Sequence, residues 1–164
     1  VAKNPFWSGF WVGSLLMALT VAGLWYQMAG IGDQTYDQLP LVDLTGKRVD
    51  VTQFAGRPLV VNYWATWCKP CIEEFKDFEE VRRRPGNKVA FLLISDDPLP
   101  KVVKFAASKK YSFVFGTSTE SLKLGVRPIT LFYNQEGKLT AKKTGAMDVT
   151  QLLGYLQEIE GTEE

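Results

Sequence analysis

Residues 60–71, VVNYWATWCKPC, decide how this chain is read, because an apolar, β-prone run passes within four residues into two cysteines spaced C-x-x-C. Residues 59–64 are apolar apart from Asn62 and Tyr63, the pattern of a central strand covered on both faces. Two thiols on the first turn of a following helix can close into a disulfide, with the leading one left exposed at the helix N-terminus. There the helix dipole and free backbone N–H groups favour negative charge, so Cys68 is expected to lose its proton more readily than a free cysteine. Cys68 is thus assigned as the attacking thiolate and Cys71, one turn deeper, as the thiol that resolves a mixed disulfide. Pro70 suits the start of a helix, where no backbone N–H is needed.

The rest of the composition removes the competing chemistries. The 164 residues contain two cysteines and no histidine. Zinc takes four ligands, and this chain supplies half of a thiol and imidazole set, so no metal is expected. Nucleophile systems built on Ser-His-Asp or Cys-His are impossible without an imidazole. A bridge across two intervening residues closes too small a loop to act as a structural staple. Nineteen basic against eighteen acidic residues give a net charge of +1, which provides no overall field for nucleic acid or an anionic membrane surface. Redox chemistry by the two thiols themselves remains, with no cofactor.

Towards the N-terminus, residues 6–28 read FWSGFWVGSLLMALTVAGLWYQM, and no charge falls between Lys3 and Asp33. A run of that length spans a bilayer, which takes roughly 20 apolar residues. Trp7 and Trp11 near one end and Trp25 and Tyr26 near the other fit the aromatic belts of the two interfaces. Lys3 on one side and Asp33 and Asp37 on the other place the N-terminus in the cytoplasm by the positive-inside bias. A secretory signal cleaved near Ala29 and Gly30 is the alternative, although its apolar region is ordinarily about 7 to 15 residues. Gly9 and Gly13 form a G-x-x-x-G pair, and Ser14, Ala18 and Ala22 a second small stripe, where a partner helix can pack closely. The expected organisation is a cytoplasmic stub and anchor over 1–30, a linker over 31–38, a folded domain over 39–160 and a short tail over 161–164.

Within the domain, residues 40–44 and 48–51 flank the turn pair Thr45-Gly46 and predict a hairpin, followed by a helical turn over 52–55 that ends at Gly56. After the cysteines, Ile72, Phe75, Phe78 and Val81 carry a helical apolar spacing that stops before Pro85-Gly86. Residues 89–94 form a second buried-type strand, a helix begins near Leu99, and residues 129–133 form a third strand. Residues 134–137, NQEG, turn into a strand over 139–143, and a closing helix runs from Asp148 or Val149 to about Ile159. Strands alternating with helices, then a hairpin and a last helix, predict an α/β sandwich around a mixed sheet.

The block from Val60 to Cys71 closely resembles thioredoxin-like proteins, specifically the TlpA/ResA/CcmG group of membrane-anchored bacterial thiol-disulfide oxidoreductases. The resemblance extends over the domain through residues 44–47 (LTGK), 54–58 (FAGRP), 125–128 (GVRP) and 136–138 (EGK). It implies a thioredoxin-like fold, a mixed sheet flanked by helices with an N-terminal β-hairpin extension, behind a single transmembrane helix. It also implies a disulfide reductant on the extracytoplasmic (periplasmic) side of the inner membrane. Its substrate would be a protein disulfide or dithiol, with apocytochrome c thiols in cytochrome c maturation as one class, and its electrons would come from a membrane-embedded donor. By the same resemblance Pro128 is the cis-proline that faces the dithiol and holds the substrate backbone, and Glu74 is a proton acceptor or potential-tuning group beside it.

Three residues depart from that pattern or qualify it. Asn62 stands where many thioredoxins carry a buried aspartate and cannot accept a proton, so base assistance to Cys71 falls to Glu74 or to water. Arg127, next to Pro128, and Lys69 would each favour the Cys68 thiolate, and so the reduced form, which makes a stronger oxidant. Arg127 is therefore expected to contact substrate or an acidic neighbour. Of Trp64 and Trp67, one is expected in the core and one as a lid over the sulfur. Lys142, Lys143 and Arg82 to Arg84 read as solvated faces. Two further functions stay open: a disulfide-forming oxidant, and an accessory subunit that docks in a membrane complex through Gly9 and Gly13.

Overall fold

Leu59–Tyr63 is the central strand the sequence predicts, with every side chain buried, and the sheet is assembled on it. In the computed structural model, residues 14, 17–21, 40–109, 111–122 and 124–160 are described. They divide into two units, Val1–Thr35 and Tyr36–Glu164. In the first, residues 14 and 17–21 are helical, with Met17, Leu19 and Val21 exposed. The rest of the expected anchor, Gly9 and Gly13 included, lies outside the described residues, as do the linker over 31–38 and the tail over 161–164. Among the described residues no helix is long and apolar enough to cross a membrane.

Among its described residues the second unit contains six strands: β1 (Leu41–Val42), β2 (Leu59–Tyr63), β3 (Ala90–Ser95), β4 (Val114–Ser118), β5 (Ile129–Tyr133) and β6 (Leu139–Thr144). Its helices are α1 (Lys69–Arg82), α2 (Leu99–Lys109) and α3 (Val149–Glu160), with a 3-10 turn at Val51–Phe54. The strands lie in the order β1-β4-β3-β2-β5-β6. β2, β3 and β4 run parallel, whereas β5 is antiparallel to β2, β6 to β5 and β1 to β4. The mixed sheet of a thioredoxin-like α/β fold is what the sequence predicts.

The two faces of the sheet carry separate cores. Both crossovers, β2-α1-β3 and β3-α2-β4, step the same way along the sheet, and right-handed connection then places α1 and α2 on one face. Phe75, Phe78, Val102, Leu152 and Leu156 from the three helices accordingly pack with Val60, Phe91, Leu93 and Phe132 in one cluster. The alternate residues, Leu59, Val61, Leu92, Ile94 and Leu131, meet Leu41, Val49, Phe54 and Leu122 on the other. This period-two division makes a strand a wall between two cores.

β4 has no counterpart in the sequence reading, and the expected N-terminal hairpin is reduced. β4 reads VFGTS, and three of its five residues are Gly or hydroxyl side chains, so no apolar run announces it. Its Gly116 leaves room that Leu41 and Leu92 occupy, each with a methyl within 3.6 Å of where a Cβ would stand. β1 pairs with this strand, not with the segment after the turn, to which a single bridge, Val42 with Arg48, remains. The Asp43 carboxylate accepts from the Thr45 and Lys47 amides and closes the turn locally, so an extended ladder is not needed there.

Candidate functional site

Cys68 ends the loop after β2 and caps α1. Its backbone is extended, its sulfur accepts from the Cys71 amide at 3.3 Å, and Pro70 occupies the first turn. Cys68 and Cys71 are joined as a disulfide, with their Cα atoms 5.3 Å apart. The expectation that the leading cysteine stays exposed is corrected: Cys68 is 4% exposed and Cys71 fully buried. Both pack into the helix-side cluster with Trp64 and Ala65.

Three segments converge on this disulfide because the register brings them to one edge of the sheet. Tyr63, the last residue of β2, pairs with Ile94 near the end of parallel β3 and with Ile129 at the start of antiparallel β5. The residues just beyond these pairs are therefore Trp64 to Cys68, Ser95 to Asp97 and Arg127 to Pro128. The carboxyl edge of parallel strands is where α/β folds place their sites.

Glu74 lies one turn beyond Cys71 on α1, on the same side of the helix, and is 2% exposed. Its Oε1 accepts from Asn62 Nδ2 at 2.8 Å and its Oε2 from the Met147 amide at 3.2 Å. Asn62 Nδ2 also donates to Thr130 Oγ1 at 3.0 Å, tying α1 to β2 and β5. Burial pushes the Glu74 carboxyl up to about 7, against the two hydrogen bonds that favour its charged form. A carboxyl so placed holds or releases a proton near neutral pH. At 2% exposure Glu74 is no ordinary solvated helical carboxylate.

The Arg127–Pro128 peptide is cis, as the resemblance implies for Pro128. Pro128 is buried, and its carbonyl accepts from the Gly145 amide at 2.9 Å. Gly145 holds a φ of +84°, and an added Cβ would meet nothing within 4 Å, so a side chain there meets backbone strain without a clash. Gly145→Ala is expected to cost about 1 kcal/mol, the left-handed penalty of an L-residue, read as a lowered urea midpoint; an unmoved midpoint would refute it.

Arg127 has the acidic neighbour expected of it. One of its terminal nitrogens donates to both oxygens of Asp96, at 2.7 and 2.9 Å. The guanidinium carbon also stands 5.7 Å from the centre of the Trp67 ring. Trp64 is the core ring of the tryptophan pair, packed edge-on to Phe75 at 5.1 Å. Trp67 projects from the surface, 69% exposed, beside Cys68. Lys69 reaches into solvent with Glu73 at 3.8 Å, a pair of little energetic weight.

Asp96 and Asp97 are the site residues that sequence reasoning missed. Asp97 Oδ2 accepts from the Thr66 amide at 2.6 Å and from the Ser95 hydroxyl at 3.3 Å. The available signal was their position, since two acids directly after a parallel strand that neighbours β2 must lie on the edge that carries Cys68. A cavity of about 190 Å³ among Phe54, Arg57, Tyr133 and Glu136 lies at the opposite edge, where β2 begins and β5 ends, and takes no part in this site.

Comparison with known proteins agrees with this geometry. The family model described as Redoxin matches residues 31–156. The thiol-disulfide oxidoreductase ResA of Bacillus cereus is 26% identical over 126 residues, which cover 73% of this chain and 73% of that protein. Among solved structures, the exposed lipoprotein thioredoxin Etrx1 of Streptococcus pneumoniae matches with a TM-score of 0.62 at 19% identity, over 72% of this chain and 96% of that one. A secreted disulfide oxidoreductase of Mycobacterium tuberculosis, described as homologous to DsbE of E. coli, matches with a TM-score of 0.62 at 22% identity, over 74% and 96%.

Proposed function

Since this chain belongs to the Redoxin family, in its thioredoxin-like ResA/CcmG group, and is a protein disulfide oxidoreductase, we propose that it works as a disulfide reductant outside the cytoplasm, held to the membrane by residues 6–28. The carrying observation is the Cys68–Cys71 disulfide at the start of α1, with the Glu74 carboxyl buried one turn further along the same helix. In the reduced state the Cys68 thiolate attacks a substrate disulfide and forms a mixed disulfide, releasing one substrate sulfur as a thiolate. Glu74 accepts the Cys71 proton, and the Cys71 thiolate then attacks the Cys68 sulfur. The substrate leaves as a dithiol, two electrons richer, and the chain is left as the disulfide. An electron donor in the membrane restores the dithiol.

Pairing of Arg127 with Asp96 supports the reductant direction, because it cancels the cation that would otherwise favour the Cys68 thiolate. The relatives described as an exposed lipoprotein and as a secreted protein support the extracytoplasmic setting. Apocytochrome c disulfides are the substrate class proposed by family resemblance. Pro128, with Trp67 and Arg127 around it, is proposed to hold the substrate backbone beside Cys68.

A Cys71→Ser variant is expected to accumulate a mixed disulfide through Cys68 that a reducing agent dissolves, whereas Cys68→Ser accumulates none. The wild-type couple is expected near thioredoxin, about −270 mV, and a value near −120 mV would make the protein an oxidant instead. Absence of any Cys68 adduct would remove the exchange mechanism altogether.

A further inference from the structure

Two consecutive carboxylates, Asp96 and Asp97, hold the two walls of the dithiol mouth. Asp97 binds the Thr66 amide on the wall that carries Trp67 and Cys68. Asp96 binds the opposite wall twice, through the Arg127 guanidinium and through the Leu122 amide at 3.2 Å. The Arg127 cation lies against the Trp67 ring, so the contacts close a circuit: Trp67, Arg127, Asp96, Asp97, Thr66 and back to Trp67. The Arg127 side chain is 10% exposed, and its buried Nε has no hydrogen-bond partner. Among the described residues Asp96 is thus the one carboxylate within ion-pair distance of a guanidinium that has little water to screen it.

We propose that Asp96 is a positioning residue that tethers Arg127 and cancels its charge at the dithiol mouth, holding the Cys68–Cys71 couple at its reducing end. This rests on the reductant reading above and adds to it the residue that sets the direction. An uncompensated cation over the ring of Trp67, the residue before Cys68, would stabilise the Cys68 thiolate and hence the reduced form, which raises the potential. With Asp96 in place the couple feels a neutral pair. No redox step beyond dithiol exchange is required, since Asp96 acts on the equilibrium and not on the electrons.

The test is the equilibrium constant of the purified protein against a glutathione redox buffer, read by the fraction of Cys68–Cys71 oxidised. Asp96→Asn keeps the shape and the acceptor for Leu122 but drops the charge. It is expected to favour the reduced form about tenfold, or about 30 mV for a two-electron couple. Arg127→Gln is expected to move the constant the other way, the double variant to return towards wild type, and Asp96→Glu to stay near it. A role confined to folding would shift the urea midpoint and leave the potential alone. The proposal is overturned if folded Asp96→Asn stays within about twofold of wild type, or if the double variant keeps the whole Asp96→Asn shift. Should Asp96→Asn not fold, Arg127→Gln alone decides, and an unmoved constant there also overturns it. A wild-type couple at the oxidant end would instead defeat the reductant reading, leaving the sign and size of the Asp96 shift to be read independently.

Discussion

Glu74→Gln is expected to slow turnover of the dithiol about 100-fold at neutral pH, the lower end of what a positioned general base contributes. The glutamine keeps the size of the side chain and cannot take the Cys71 proton, and neither can Asn62, which stands against it at 2.8 Å. The wild-type rate should therefore carry a limb near pH 7, where the Glu74 carboxyl ionises, and the variant should lack it. Stability moves in the opposite sense. Burial raises this carboxyl from 4.5 to about 7, so between those values the folded chain holds a proton that the unfolded chain has released. Wild-type stability is then fully present below about pH 4.5, falls as pH rises to about 7 and is level above it, a loss of up to about 3 kcal/mol. Urea denaturation of both proteins at pH 5 and pH 8 tests this: the wild type should show the fall and Glu74→Gln should not. Equal slopes, together with an unchanged rate limb, would show that the group is a passive core residue.

Phe75→Ala is expected to cost about 3 to 5 kcal/mol, the range for removing a large buried aromatic side chain. Phe75 is fully buried on α1, between Cys71 and Phe78 in sequence. Its ring meets Trp64, Phe105, Tyr111 and Phe113 at centroid distances of 5.1 to 6.1 Å, mostly edge to face. Those partners come from the loop after β2, from α2 and from the segment before β4, so collapse around the void is opposed from several sides. Equilibrium denaturation should show the loss, and a cost below about 1 kcal/mol would mean that the cluster re-forms around the gap. Because the same helix carries Cys71 and Glu74, the variant should also lose the Glu74 rate limb before it loses its fold.

Local signals in the sequence were enough for β2, α1, β3, α2, β5 and α3, each an apolar run or a helical period, and for β6, which the turn at residues 134–137 announces. β4 escaped because its burial is contributed by backbone and by Leu41 and Leu92, so its own side chains carry no period. The dithiol followed from its spacing, from a composition without histidine or further cysteines, and from the resemblance of the block around it. The surroundings of the dithiol did not, because they are set by register. Helical spacing placed Glu74 near Cys71, yet its hydrogen-bond partners, Asn62 and the Met147 amide, lie 12 and 73 residues away. Arg127 invited the expectation of an acidic partner, but nothing local could select Asp96, which reaches it only because β3 and β5 both flank β2. The cover over Cys68 was misjudged for the same reason: an exposed helix start becomes a buried one when core residues of three helices and the sheet close around it.

The depth of the two sulfurs has a consequence for how electrons are shared. Exchange rates depend on access as well as on thiolate character, and here the exposed indole of Trp67 meets a visitor before the disulfide does. Small thiols in bulk solution are therefore expected to exchange with the buried sulfurs more slowly than a protein segment that seats against Trp67. Such a couple is an insulated wire: it reaches the same equilibrium with the common thiol pool, but the protein partners that reach Cys68 set how fast its redox state changes.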